Sequence, residues 1–108
     1  MALVEDLLRK VKANLIIEHD EDDELICDYI RAAVDYAETG QNKPQGYYFK
    51  RGNRMPPSTE QAVIMLASHY YESRDGSTGG FFADNTSAAA QIWQTVDRLL
   101  LRGKDWVV

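Results

Sequence analysis

The side chains best suited to chemistry are few and scattered: two histidines, His19 and His69, one cysteine, Cys27, and an acidic run from Glu18 to Glu24. A general base needs a positioned partner and a substrate pocket. His69 has Glu72 three residues on, which supplies a partner but no pocket, so it reads as an ordinary helix-surface or interface histidine. Cys27 follows Ile26 and has no histidine at a telling spacing. It suits a small hydrophobe better than a nucleophile. In the acidic run Asp20, Asp22 and Glu24 alternate as calcium ligands do, but no glycine follows and Leu25 and Ile26 come next. The calcium loop needs that glycine and a distal glutamate, so helix capping is the better account. Gly76-Ser77-Thr78-Gly79-Gly80 lacks the lysine of a phosphate-binding loop, and no strand leads into it. No catalytic residue, metal or cofactor is expected. The chain is expected to bind other protein subunits.

The strongest binding candidate is a basic-aromatic stretch in which Lys43, Lys50, Arg51 and Arg54 bracket Tyr47, Tyr48 and Phe49. Cations for phosphate and rings for base stacking suit single-stranded nucleic acid. Tyr, Phe and Arg are equally the usual anchors of protein interfaces. The whole chain carries a formal net charge of −5, which argues against a phosphate-gripping surface and favours protein contact. Such a loop could grip the acidic residues Glu18, Asp20, Asp22 and Asp23 of a neighbouring copy. Phe81, Phe82 and Trp106 are further contact candidates, because a lone soluble monomer would hide them.

Four helical patterns would position these groups, with no internal repeat. Leu3, Leu7, Leu8, Val11 and Leu15 share one stripe, and Glu5, Asp6, Arg9, Lys10 and Lys12 face away. Ile16 to Asp20 reads as a connector. Asp20 is the expected N-cap of a second helix, with the following carboxylates in its dipole-favoured first turn. Its stripe is Leu25, Ile26, Tyr29, Ile30, Ala33, Val34 and Ala37; Arg31, Asp35 and Glu38 mark the wet face, and Gly40 is the expected stop. All three prolines fall in Gln41–Pro57, a long loop that admits a short hairpin at Tyr47–Arg54. Ser58 with Gln61 reads as a capping box for a third helix, apolar on more than one side and therefore central. A second loop, Asp75–Asn85, precedes a fourth helix from Thr86 or Ser87, with Ala89, Ile92, Val96, Leu99 and Leu100 inward and Gly103 at its end.

The expected fold is therefore all-α: a small bundle of four main helices with two long loops. The 108 residues allow one core, divided here into a helical domain at 1–103 and a short tail at 104–108. A single cysteine cannot form an internal disulfide, and no apolar run approaches the ~20 residues of a membrane span. The N-terminal twelve residues alternate apolar and charged types rather than forming a signal peptide. A reducing cytosol is the expected site of synthesis, with no membrane partner.

Three stretches, in order, carry a family resemblance. They are Leu7-Leu8-Arg9-Lys10-Val11-Lys12-Ala13-Asn14-Leu15; Ile17-Glu18-His19-Asp20-Glu21-Asp22-Asp23-Glu24-Leu25-Ile26 running into Tyr29-Ile30-Arg31-Ala32-Ala33; and Ala62-Val63-Ile64-Met65-Leu66-Ala67-Ser68-His69-Tyr70-Tyr71-Glu72-Ser73-Arg74. Together they resemble the head–tail connector (adaptor) proteins of tailed bacteriophages and prophages, often labelled DNA packaging proteins. Many members have a proline near the start of the last helix, where this chain has Ala88-Ala89-Ala90. The resemblance implies a structural virion protein, made in the bacterial host cytoplasm and placed at the head–tail junction. It implies a homo-oligomeric ring, a dodecamer, beneath the portal protein and above a tail-side connector or terminator protein. DNA would pass through the channel without specific binding. The alternative is a nucleic-acid-binding accessory factor in DNA packaging, using the basic-aromatic loop.

Overall fold

The computed structural model describes residues 2–73 and 86–104. Four helices account for most of them: α1 (Ala2–Leu15), α2 (Asp23–Gly40), α3 (Pro57–Ser73) and α4 (Thr86–Leu101). No strand occurs among the described residues, so the all-α expectation holds.

The core follows the sequence stripes except at Leu25, which was expected inward in α2 and is exposed. Leu7 and Val11 from α1, Ile26, Ile30, Ala33, Val34 and Ala37 from α2, and Val96 and Leu100 from α4 are buried around α3. From α3 itself Ala62, Val63, Ile64, Leu66, Ala67 and Tyr71 are buried. Burying a Leu, Ile or Val side chain contributes roughly 1.5–3 kcal/mol, so this cluster is what holds the four helices together. The expected centrality of α3 is met.

Side-chain ties give the helix directions. Gln41 meets Thr59 and Tyr29 meets Tyr70, so α2 runs antiparallel to α3. His69 stacks edge-on with Trp93 while Gln41 reaches the carbonyl of Leu100, so α4 also opposes α3. Lys10 pairs with Glu60 and Asn14 with Ser68, so α1 runs parallel to α3. One end of the bundle thus holds the C-termini of α2 and α4 with the start of α3. The other end holds the Ile16–Asp22 connector and the C-termini of α1 and α3.

Several helix boundaries depart from expectation, each for a tertiary reason. Asp20 does not cap α2, which starts at Asp23 with Asp22 before it and no side-chain cap bond. The Asp20 carboxylate is instead bound by Lys12 at 2.7 Å, and that of Asp22 accepts the Tyr71 hydroxyl. Ser58 does not open a capping box, because α3 begins one residue earlier at Pro57. Proline suits the first helical position, where the missing N–H is not needed. Gly40 is the last residue of α2 rather than its left-handed stop. That conformation falls on Asn42 (φ 60°), with Asn42 N–H donating to Thr39 and Lys43 N–H to Glu38, which is a Schellman closure. At the end of α1, Ile16 (φ 58°) closes the same motif, with Ile17 N–H donating to Lys12 at 2.9 Å.

Candidate functional site

The two charged segments lie at opposite ends of α2. Its 18 residues span about 27 Å at 1.5 Å per residue. The acidic segment runs into its N-terminus, and the basic loop is fastened to its C-terminus.

That fastening is a buried polar hub absent from the sequence expectations. Glu38, assigned above to the wet face, is only 2% exposed. Its carboxyl oxygens accept the backbone N–H groups of Gly46 at 2.9 Å and Tyr48 at 3.0 Å. Gln41 and Thr59 are wholly buried beside it. The Gln41 amide donates to Thr59 Oγ1 at 2.8 Å and to the Leu100 carbonyl at 2.9 Å, while its oxygen accepts the Tyr48 hydroxyl. One residue therefore joins α2, α3, α4 and the 41–57 loop. Buried polar groups are tolerated when paired in this way.

The hub also explains why the expected hairpin is absent. Gly46 and Tyr48 spend their donors on Glu38, so no ladder can use them. Gly46 adopts φ 80°, and Tyr47–Phe49 winds into a 3-10 turn closed by Phe49 N–H to the Gly46 carbonyl at 3.1 Å. Asn53 braces the turn by donating to the Tyr47 carbonyl at 2.9 Å.

The turn sorts the basic-aromatic residues. Tyr48 is buried, and burial pushes its phenol up. Tyr47 and Phe49 are half-buried, and the Lys43 ammonium sits 4.9 Å from the Tyr47 ring centroid. Lys50, Arg51 and Arg54 are exposed and make no ion pair among the described residues. The cations, rather than the rings, are what this loop presents outward.

At the acidic end, Glu18, Asp20, Glu21 and Glu24 are exposed, whereas Asp22 and Asp23 are half-buried. Lys12 pairs with Asp20 at 2.7 Å and Asp23 at 2.8 Å, pinning the connector to α1. The Asp20 contact, then that to Asp23, holds the Lys12 ammonium above the ordinary lysine range, and Lys12 in turn holds the Asp20 carboxyl low. Asp22 and Asp23 thus serve the chain's own fold, while Glu18 and Glu21 remain outward. Phe81, Phe82 and Trp106 lie outside the described residues.

Tyr29, Tyr36, Tyr70 and Trp93 form a half-buried aromatic cluster on α2, α3 and α4. His69, expected at a helix surface or an interface, is only 8% exposed in the chain itself and stacks on Tyr70 and Trp93. It goes inward because that face of α3 is covered by α4. Burial holds its pKa below the usual histidine value. A cleft of about 330 Å³ brings His69 together with Glu72, Ser68 and Asn14, but Cys27 does not line it. Ser68 Oγ is occupied by Asn14 at 2.9 Å, and burial pushes the Cys27 thiol up. An activated nucleophile needs a base within hydrogen-bond reach and a lowered pKa, and neither side chain meets that description. No group of three His, Cys, Asp or Glu side chains gathers for a metal among the described residues. No described helix is long and apolar enough to cross a membrane.

A sequence model of the phage gp6-like head-tail connector protein family matches residues 5–99. No curated protein and no solved structure matches the chain.

Proposed function

We propose, from the premise that this chain belongs to the phage gp6-like head-tail connector family, that it forms a ring between the DNA-filled head and the tail. The chain is a structural connector protein of a phage particle, which joins other head and tail proteins. The ring reading adds that copies of the chain, twelve in the assembled particle, sit beneath the portal protein and above a tail-side connector or terminator, extending the DNA channel. The observation that carries the reading is the family match, which spans residues 5–99 and so reaches into all four helices.

The charge layout supports it. A ring contact is heterologous: one surface of each copy meets a different surface of the next. Exposed Glu18, Asp20 and Glu21 at one end and exposed Lys50, Arg51 and Arg54 at the other are two unlike surfaces of opposite sign. Their separation along α2 keeps them from neutralising each other within one chain. Electrostatic complementarity of this kind fixes register and suppresses wrong partners. An excess of outward carboxylates along the channel wall would repel phosphates and let duplex DNA slide.

A nucleic-acid-binding role for the 41–57 loop has a reduced stacking platform, because Tyr48 is in the core, Tyr47 carries Lys43 and Phe49 is half-buried. The test of the ring is the solution mass of the purified protein, measured alone and with portal protein over a wide concentration range. A large closed oligomer is expected. Monomers under every condition, portal included, would overturn the ring.

A further inference from the structure

Ile16 is the most exposed large apolar side chain among the described residues, at 84%, and its backbone is left-handed at φ 58°. Both properties work against the isolated chain. A β-branched residue in that region is strained, whereas Gly or Asn closes a Schellman turn with little cost. The chain itself uses Asn42 at the equivalent point of α2. The helix stop therefore does not require isoleucine.

A cleft of about 610 Å³ lies beside the start of α3, lined by Arg54, Met55, Pro56, Pro57, Glu60 and Gln61. Met55 and Pro56 give it half-buried apolar walls, and exposed Arg54 stands at its rim. Glu60 is already neutralised by Lys10 at 2.5 Å, so the unpaired charge at the cleft is positive. The residues flanking Ile16 are of the opposite sign: Glu18 and Glu21 are exposed, while Asp20 is held by Lys12.

Knob and cleft lie toward different ends of the bundle, Ile16 in the connector beyond α1 and the cleft at the start of α3. α1 meets α3 at Lys10–Glu60 beside the cleft and at Asn14–Ser68 near Ile16. Eight residues of α3, about 12 Å, separate those two levels. A chain cannot fill its own cleft with an outward-pointing Ile16, but the next copy, related head to tail, can present its Ile16 there.

We propose that Ile16 is the apolar anchor between copies of this chain, seated between Met55 and Pro56 of the next copy. Its acidic neighbours then face Arg54, and the strain at Ile16 persists because the side chain is needed for contact rather than for folding. This rests on the ring reading and names the contact that builds it.

Two properties separate the proposal from a merely structural role. Ile16→Asn should raise the thermal midpoint of the free chain by relieving the left-handed strain. It should also move assembly to about tenfold to a hundredfold higher concentration, the range set by losing one buried isoleucine. Arg54→Glu should weaken assembly in the same assay with an unchanged thermal midpoint. In a Cys27→Ser background, Ile16→Cys combined with Gln61→Cys should give a ladder of disulfide-linked multimers on oxidation. Ile16→Asn assembling at the wild-type concentration, or assembled double-cysteine protein giving no ladder, would overturn the anchor and leave the ring intact. A wild-type chain that forms no oligomer, even with portal protein, would overturn the ring and the anchor together.

Discussion

Replacing Glu38 by alanine isolates the contribution of the polar hub. The substitution removes both acceptors that hold Gly46 N–H at 2.9 Å and Tyr48 N–H at 3.0 Å. Hydrogen bonds to a charged group contribute about 1.5–3 kcal/mol each, which gives an upper bound near ~6 kcal/mol. The loop can relax and let water reach part of its backbone, so a loss of about 3–5 kcal/mol is expected. Against a typical total of ~5–15 kcal/mol, that is a large fraction. With about 2.1 cal/mol/K per residue over 108 residues, each kcal/mol corresponds to roughly 4 °C, so the thermal midpoint should fall by about 12–20 °C. Calorimetry reads the midpoint, and amide hydrogen exchange reads Gly46 and Tyr48 individually. Glu38→Gln retains one acceptor and should fall between wild type and alanine. A loss below ~0.5 kcal/mol with unchanged protection at both amides would refute the assignment of Glu38 as the fastening of the loop.

Other consequences can be checked separately. Gly103→Ala would place a Cβ 2.5 Å from Gln41 Nε2 and 3.1 Å from Thr59 Oγ1. Because the Gln41 amide is held by two acceptors, it cannot swing aside freely, and a loss of about 1–3 kcal/mol in urea unfolding is expected. His69 has a folded pKa below the unfolded value of 6.5. The unfolded chain therefore takes up the proton first, and the stability present above pH 6.5 should decline as pH falls from there toward the folded value. Unfolding free energies of wild type and His69→Gln across pH 5–8 should differ in slope within that window; identical slopes would dismiss His69 as the titrating group. The isolated protein should show no measurable affinity for duplex DNA at physiological salt, and a tight, salt-sensitive mobility shift would contradict the non-adhesive channel wall.

How legible the molecule was in its sequence differs from element to element. The α2 stripe from Ile26 to Ala37 could be read directly, since every member sits at helical spacing and goes inward. The same stripe continues into Glu38 and Gln41, and their polarity concealed it. A charged side chain is placed outward unless its partners are known, and here the partners are backbone groups of Gly46 and Tyr48 supplied by a loop. A run of prolines and glycines leaves backbone donors needing acceptors, which was the one available hint. Asp20 failed as the cap for a related reason: Lys12, eight residues back, claims its carboxylate, and Asp22, which stands at the cap position instead, gives its own to the distant Tyr71. The left-handed stop at Ile16 had no glycine or asparagine to announce it. Of the candidate site, the exposed cations Lys50, Arg51 and Arg54 were legible from type alone, whereas the retreat of Tyr48 into the core depends on Gln41 and Thr59 meeting it there.

The chain is a structural connector of the phage particle, and its proposed role is to join heads to tails. The most direct measurement removes it from the phage that encodes it and images the particles by electron microscopy. The predicted result is DNA-filled heads and finished tails that remain separate, with joining restored when the chain is supplied again. Joined, infectious particles assembled in its absence would contradict the claim.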